Sequence, residues 1–162
     1  MSQELKKVKL GLALVLLSLS FGVGMGISFG INEDTYKSYI AEQVEAHPQL
    51  HDESSTGKIW RYAQRAHFHA TGIAAFSLGL IILLMFSDMK ASLKKVSSVL
   101  IGLGGLYPLA WFSMFRLAPV IGRGPAHDHI MTELFTYIGV GGLVLGALML
   151  FANLFLGTFR EA

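Results

Sequence analysis

The sequence predicts an all-α integral membrane protein: a four-helix bundle forming one membrane domain over residues 1–162. Three observations carry this. Mean hydropathy is +0.52, with 52% hydrophobic and only 15% charged residues, a balance foreign to soluble domains. Four apolar runs, at about 10–31, 66–87, 96–117 and 130–157, are nearly free of charge. Each reaches the roughly twenty residues that cross a ~30 Å hydrocarbon core at ~1.5 Å per residue. Backbone polar groups in lipid must be satisfied within their own element, so the runs are helices.

The first run follows Lys6, Lys7 and Lys9. It is longer than a signal-peptide h-region and no Ala-x-Ala-like cleavage site follows it, so it reads as a retained helix. In the outer loop, 32–65, Tyr36, Tyr39, Ile40 and Val44 recur at helical spacing after Asp34, a candidate N-cap. This predicts a short amphipathic helix lying on the membrane surface. Ser54-Ser55-Thr56-Gly57 breaks it, and Trp60 and Tyr62 read as interfacial anchors at the entry to the second span. Between the third and fourth spans, Pro119, Gly122, Gly124 and Pro125 predict a turn-rich link rather than a helix.

Small residues recur at packing spacing in each span: Ser18, Gly22, Gly26 and Gly30; Gly72, Ala75 and Gly79; Ser98, Gly102 and Gly105; Gly139, Gly142 and Gly146. Such stripes let helix backbones approach closely, and room for a flat cofactor is the alternative reading. The motif Ala66-His67-Phe68-His69 has an echo in Ala126-His127-Asp128-His129, each just before an apolar run. The chain therefore reads as a 2+2 tandem repeat of helical hairpins related by an axis along the membrane normal.

Four crossings put both termini on one side. That side holds seven basic residues, six of them lysines, against three acidic ones, and the other holds six basic and eight acidic. The short turn with Lys90, Lys94 and Lys95 favours cytoplasmic termini. The expected location is a bacterial inner membrane. All six histidines (His47, His51, His67, His69, His127 and His129) then share the outer face.

On an ideal helix His67 and His69 point about 160° apart, and His69 lies within about 60° of Gly72. His129 falls roughly 80° from the Gly139/Gly142/Gly146 stripe. If those stripes face the bundle interior, His69 and His129 converge from two helices. Two inward imidazoles are what a six-coordinate haem iron takes as axial ligands. His67 and His127 are second choices. Arg61, Arg65, Arg116 and Arg123 cluster at the same end, where their planar forks suit haem propionates.

Ala66-His67-Phe68-His69 and the apolar run after it resemble the haem-ligating helix of heme–copper oxidases and nitric oxide reductases. There a His-Phe-His pair near the outer face binds one haem on each side of the helix. The resemblance implies that His67 and His69 are axial ligands to different haems. It is local. Four helices are fewer than that fold has and its copper ligands have no counterpart here, so oxygen reduction is not implied.

The preferred reading is thus a small haem b protein of the cytochrome kind, passing electrons to or from quinol or an outer-face redox partner. A copper or zinc protein is the rival, with His67, His69, His127, His129, Asp128 and Glu133 as the ligand set. Met25, Met114 and Met131 would be soft ligands for copper(I) in that case, although methionine in a span is usually packing. Asp128 also reads simply as the N-cap of the fourth span. A third reading is a cofactor-free accessory subunit whose small-residue stripes bind partner helices, in a homo-oligomer or a larger membrane complex. The blandest reading leaves every histidine solvated at the interface. Glu133 and Asn153 are the polar residues expected to be buried in the fourth span. The absence of Cys excludes disulfides, thiolate ligands and covalently attached haem. No nucleophile triad, phosphate cradle or nucleic-acid surface is legible.

Overall fold

A computed structural model describes residues 3–161. The described chain is helical and contains four helices long and apolar enough to cross a membrane. The first span is α1, Gln3–Ala46, which kinks at Asn32 (φ −129°, ψ 27°). The second is α2, Ser55–Phe86. The third, Ala91–Ile121, is made of α3 (Ala91–Leu103) and α4 (Tyr107–Ile121), joined by a 3-10 turn at Gly104–Leu106. Two glycines before Pro108 explain the turn: the glycines weaken the helix, and the proline ring cannot take part in the i→i−4 ladder. A short helix α5, Arg123–His127, leads into α6, Ile130–Leu156.

The third span is central. Helix α1 packs against α2 and α3, α4 lies against α2 and α6, and α2 meets α6 only sparsely. Two apolar cores divide the bundle along its length. One, near the termini, gathers Val8, Val15, Ile81, Leu84, Met89, Ile101 and Leu150. The other, at the histidine end, gathers Ile40, Ile59, Ala63, Phe115, Ala118 and Ala126.

The small-residue stripes divide between two roles. A Cβ on Gly102 would lie 2.7 Å from the Gly11 carbonyl oxygen, and one on Gly146 would lie 2.8 Å from the Ile101 amide, so α1–α3 and α3–α6 pack backbone to backbone. Ser97 seals the second contact by donating to the Gly146 carbonyl at 3.0 Å. On α2 the inward face is instead Ala63, Ala66, Ala70, Ala74 and Ser77. Gly72, Ala75 and Gly79 are exposed, so the stripe taken to face the bundle interior faces outward. Alanine methyls suffice for that packing, which frees the glycine face.

Three boundaries differ from the sequence reading. Helix α2 begins at Ser55, about three turns before the apolar run at 66, so the first His-x-His lies inside a helix rather than at its mouth. Asp52 starts it: Oδ1 accepts from Ser54 N (3.0 Å), Ser54 Oγ (2.7 Å) and Ser55 Oγ (2.9 Å). Residues beyond Asn32 are helical but continuous with α1. The kink, closed by a 2.6 Å Ser28 Oγ–Tyr36 Oη hydrogen bond, turns Tyr36, Tyr39, Ile40 and Val44 onto the protein's own histidine-end core. Third, the link at 118–126 is largely helical. Pro119 sits inside α4, and only Gly122, at φ +87°, breaks the chain before α5.

At the terminal end Lys94 is buried, 3% exposed. Its ammonium donates to Glu4 Oε2 (2.7 Å), Ser87 O (2.9 Å) and Met85 O (3.3 Å). It ties α1 to the carbonyl end of α2, where a cation also complements the helix dipole. Asn153 is buried as expected, but its amide donates to Thr158 O at 2.8 Å and closes the end of its own helix instead of crossing to another.

Candidate histidine site

The two histidines of α2 look to different neighbours. His67 Nδ1 donates to the Gly22 carbonyl on α1 at 2.8 Å, and the ring stands over Gly26, where a Cβ would come within 2.7 Å of Cε1. Beside it, between α1 and α2, is a hollow of about 200 Å³ bordered by Phe29, Glu33, Trp60 and Gln64. His69 points toward α4. Its ring stacks on Trp111 (centroids 5.6 Å apart, 27° between planes) and meets Tyr107 edge-on at 5.2 Å. Its Nδ1 donates to Arg65 O, one turn back, at 2.8 Å.

Those partners settle the tautomers. A carbonyl oxygen only accepts, so Nδ1 carries a proton in both rings, and in the neutral ring Nε2 keeps the lone pair. The backbone carbonyl thereby fixes which ring nitrogen is left as the acceptor.

The second motif straddles the break between α5 and α6, unlike its helical counterpart. His127 is exposed, and its Nδ1 donates to Asp128 Oδ1 at 2.8 Å, which in the neutral ring leaves Nε2 with the lone pair. Asp128 was read as the N-cap of the fourth span, but His129 fills that place. His129 Nδ1 accepts from Met131 N at 3.2 Å, so the proton of its neutral ring is on Nε2. The two neutral rings therefore present opposite tautomers. Thr132 fixes the corner by donating to Ala126 O at 2.9 Å.

Between α4 and α6 lies a hollow of about 150 Å³, bordered by Tyr107, Trp111, Met114, His127, Glu133 and Tyr137. Tyr107 and Trp111 thus line the hollow while touching His69. The two rings, set at 74° to each other, are shared between His69 and the hollow. Trp111 Nε1 is buried and has no hydrogen-bond partner among the described residues.

The arginines divide. Arg65 lies over the Trp111 ring at 4.7 Å, and Arg123 Nε donates to Tyr62 Oη at 3.4 Å, with Tyr62 itself 5.9 Å from Trp111. Arg116 lies over Tyr39 at 5.3 Å, toward α1, and Arg61 is exposed. Among the described residues no group of three or more His, Asp or Glu side chains is placed to hold a metal ion. His51 Nε2 donates to Pro119 O at 2.9 Å and ties the segment between α1 and α2 to α4. His47 Nδ1 donates to Gln43 O in the last turn of α1 at 2.8 Å.

Tyr107 and Trp111 were not singled out from the sequence. Their i, i+4 spacing in the third apolar run was the available signal, but it cannot be told from ordinary packing until the neighbouring helices are known. Compared with protein-family models, with curated proteins and with solved structures, the chain matches none.

Proposed function

We propose that the chain is a haem b protein of the cytochrome kind, embedded in the bacterial inner membrane with its termini in the cytoplasm, and that it transfers electrons. The observation that carries the reading is the Trp111 face. His69 lies flat against it from α2, and it lines the same hollow as His127. Both imidazoles have Nδ1 engaged and the Nε2 lone pair free. His69 and His127 are the residues that would hold the haem, and His129 serves as the cap of α6. Arg65 and Arg123, both beside the Trp111–Tyr62 aromatics, are the propionate partners.

The donor chemistry fits haem; the hollow alone does not enclose one. Ligand cavities usually measure ~300 Å³ or more, so a haem here would have to extend into lipid or against a partner chain. This is in keeping with a homo-oligomer or a larger complex. Bis-imidazole haem supplies a one-electron couple tuned by ligand and burial. The chain's part would be to orient two imidazoles, pack Trp111 against His69 and present cations to carboxylates. Quinol or an outer-face redox partner is the expected exchanger. His67, with its own hollow against α1, is the candidate ligand for a second haem.

A second reading rests on the exposed Gly72/Ala75/Gly79 stripe, the kind of surface that takes a partner helix; the chain would then be an accessory subunit. The visible spectrum of haem-supplemented, detergent-purified protein separates the two. A Soret band with α and β bands on dithionite reduction is expected, lost in His69→Ala and His127→Ala and kept in His51→Ala and His129→Ala. A featureless spectrum, or undiminished haem in both His69→Ala and His127→Ala, overturns the haem site and leaves the accessory subunit.

A further inference from the structure

At the end opposite the histidines, α1 and α3 meet so closely at Gly11 and Ser98 that a Cβ on Gly11 would collide with the Ser98 backbone. Beside this contact runs a groove of about 330 Å³. Leu10, Ala13 and Val99 supply its apolar lining, and Lys6, Lys9 and Lys95 its basic rim. Lys7 also borders it, but its ammonium is paired with Glu4 at 2.6 Å. No carboxylate lines the groove, and no hydrogen bond or ion pair engages the side chains of Lys6, Lys9 or Lys95 among the described residues. Neighbouring Lys94, by contrast, is fully satisfied inside the bundle.

The ordering along the helices decides what fits. On α1, Lys6, Lys9, Leu10 and Ala13 follow one another at helical spacing, and on α3 Lys95 precedes Val99 by one turn. Charge is therefore at the water end of the groove and apolar surface at the lipid end, in spans that cross a membrane. A ligand matching both must be an anion carrying a hydrocarbon chain. We infer that this groove is a binding site for an anionic phospholipid, its phosphate held by Lys6, Lys9 and Lys95 and an acyl chain laid along Leu10, Ala13 and Val99. Ammonium groups act as point charges toward phosphate, and basic pockets between spans at a membrane's cytoplasmic face suit such headgroups. The inference is independent of the haem reading.

The test offers detergent-purified full-length protein equal amounts of phosphatidylglycerol and phosphatidylcholine and reads retained lipid by native mass spectrometry. Phosphatidylglycerol should be retained in preference. Each lysine contributes about fivefold, so the Lys6→Gln/Lys9→Gln/Lys95→Gln variant should lose the preference by roughly a hundredfold. The matching triple Lys→Arg variant should keep it, which separates loss of charge from loss of fold. The pair Lys37→Gln/Lys58→Gln, at the histidine end, should leave it unchanged. Equal retention of the two lipids overturns the site, as does a triple Gln variant that keeps its preference. Displacement of phosphatidylglycerol by inorganic phosphate shows that the groove takes a free anion rather than a lipid, and overturns it too.

Discussion

Gly26 and Gly30 stand one turn apart on the same stripe of α1, and replacing each in turn by alanine should give opposite results. A methyl at Gly30 meets nothing within 4 Å. Gly30→Ala should therefore gain the ordinary helix advantage of alanine, ~0.5–1 kcal/mol. A methyl at Gly26 would lie 2.7 Å from His67 Cε1 and 3.2 Å from its Nδ1. Van der Waals contact between carbons needs ~3.5 Å or more, so the ring must retreat by close to an ångström. It is held by the 2.8 Å bond from Nδ1 to Gly22 O and flanked by Phe29 and Phe68. Losing that bond costs ~0.5–1.5 kcal/mol, and keeping it against the methyl costs ~1–3 kcal/mol of overpacking. Because the helix advantage cancels between the two variants, Gly26→Ala should be less stable than Gly30→Ala by about 1–3 kcal/mol. Unfolding in mixed detergent–SDS micelles, followed by circular dichroism, measures the difference. Nitrogen-15 NMR of the His67 ring reads the tautomer, which should be Nδ1–H in the parent protein and mixed in Gly26→Ala. Equal stability of the two variants with an unchanged ring spectrum would refute the account of how His67 is held.

Two further outcomes test the scaffold. Asp52, before α2, has its carboxyl lowered from 3.8 to about 2, first by the hydroxyls of Ser54 and Ser55 and then by the charge of Lys58. A lowered folded value means that the stabilisation is fully present above the ordinary value and is lost as pH falls through the folded one. Thermal midpoints of the parent protein and of Asp52→Asn should converge as pH drops from about 4 to about 2; a constant gap across that window would count against the network. Lys94→Met should cost about 2 kcal/mol in the same micelle assay, less than the ~3–5 typical of a broken buried pair. The reason is that Glu4 keeps Lys7 at 2.6 Å and its side chain is 39% exposed, so no buried charge is stranded. An unchanged midpoint would show that Lys94 is no pin.

The sequence by itself determined the helical class and the four spans, because apolar length and the obligation to satisfy backbone groups in lipid are local properties. Its helical periodicity also placed His67 and His69 on opposite faces of one helix, and they contact α1 and α4 respectively. Tertiary structure decided which faces turn inward. On α2 the alanines pack and the glycines do not, since either residue is small enough and only the neighbours' shapes choose between them. It also decided that the helix beyond Asn32 folds back onto Trp60 and Phe115, which needs the kink and the Ser28–Tyr36 bond. Above all it decided the chemistry of each imidazole. His127 and His129 differ in sequence only by two positions, yet one donates through Nδ1 to a carboxylate and the other accepts there from a backbone amide. A histidine's free lone pair depends on which atom faces its ring, and that is settled only when the chain has folded around it.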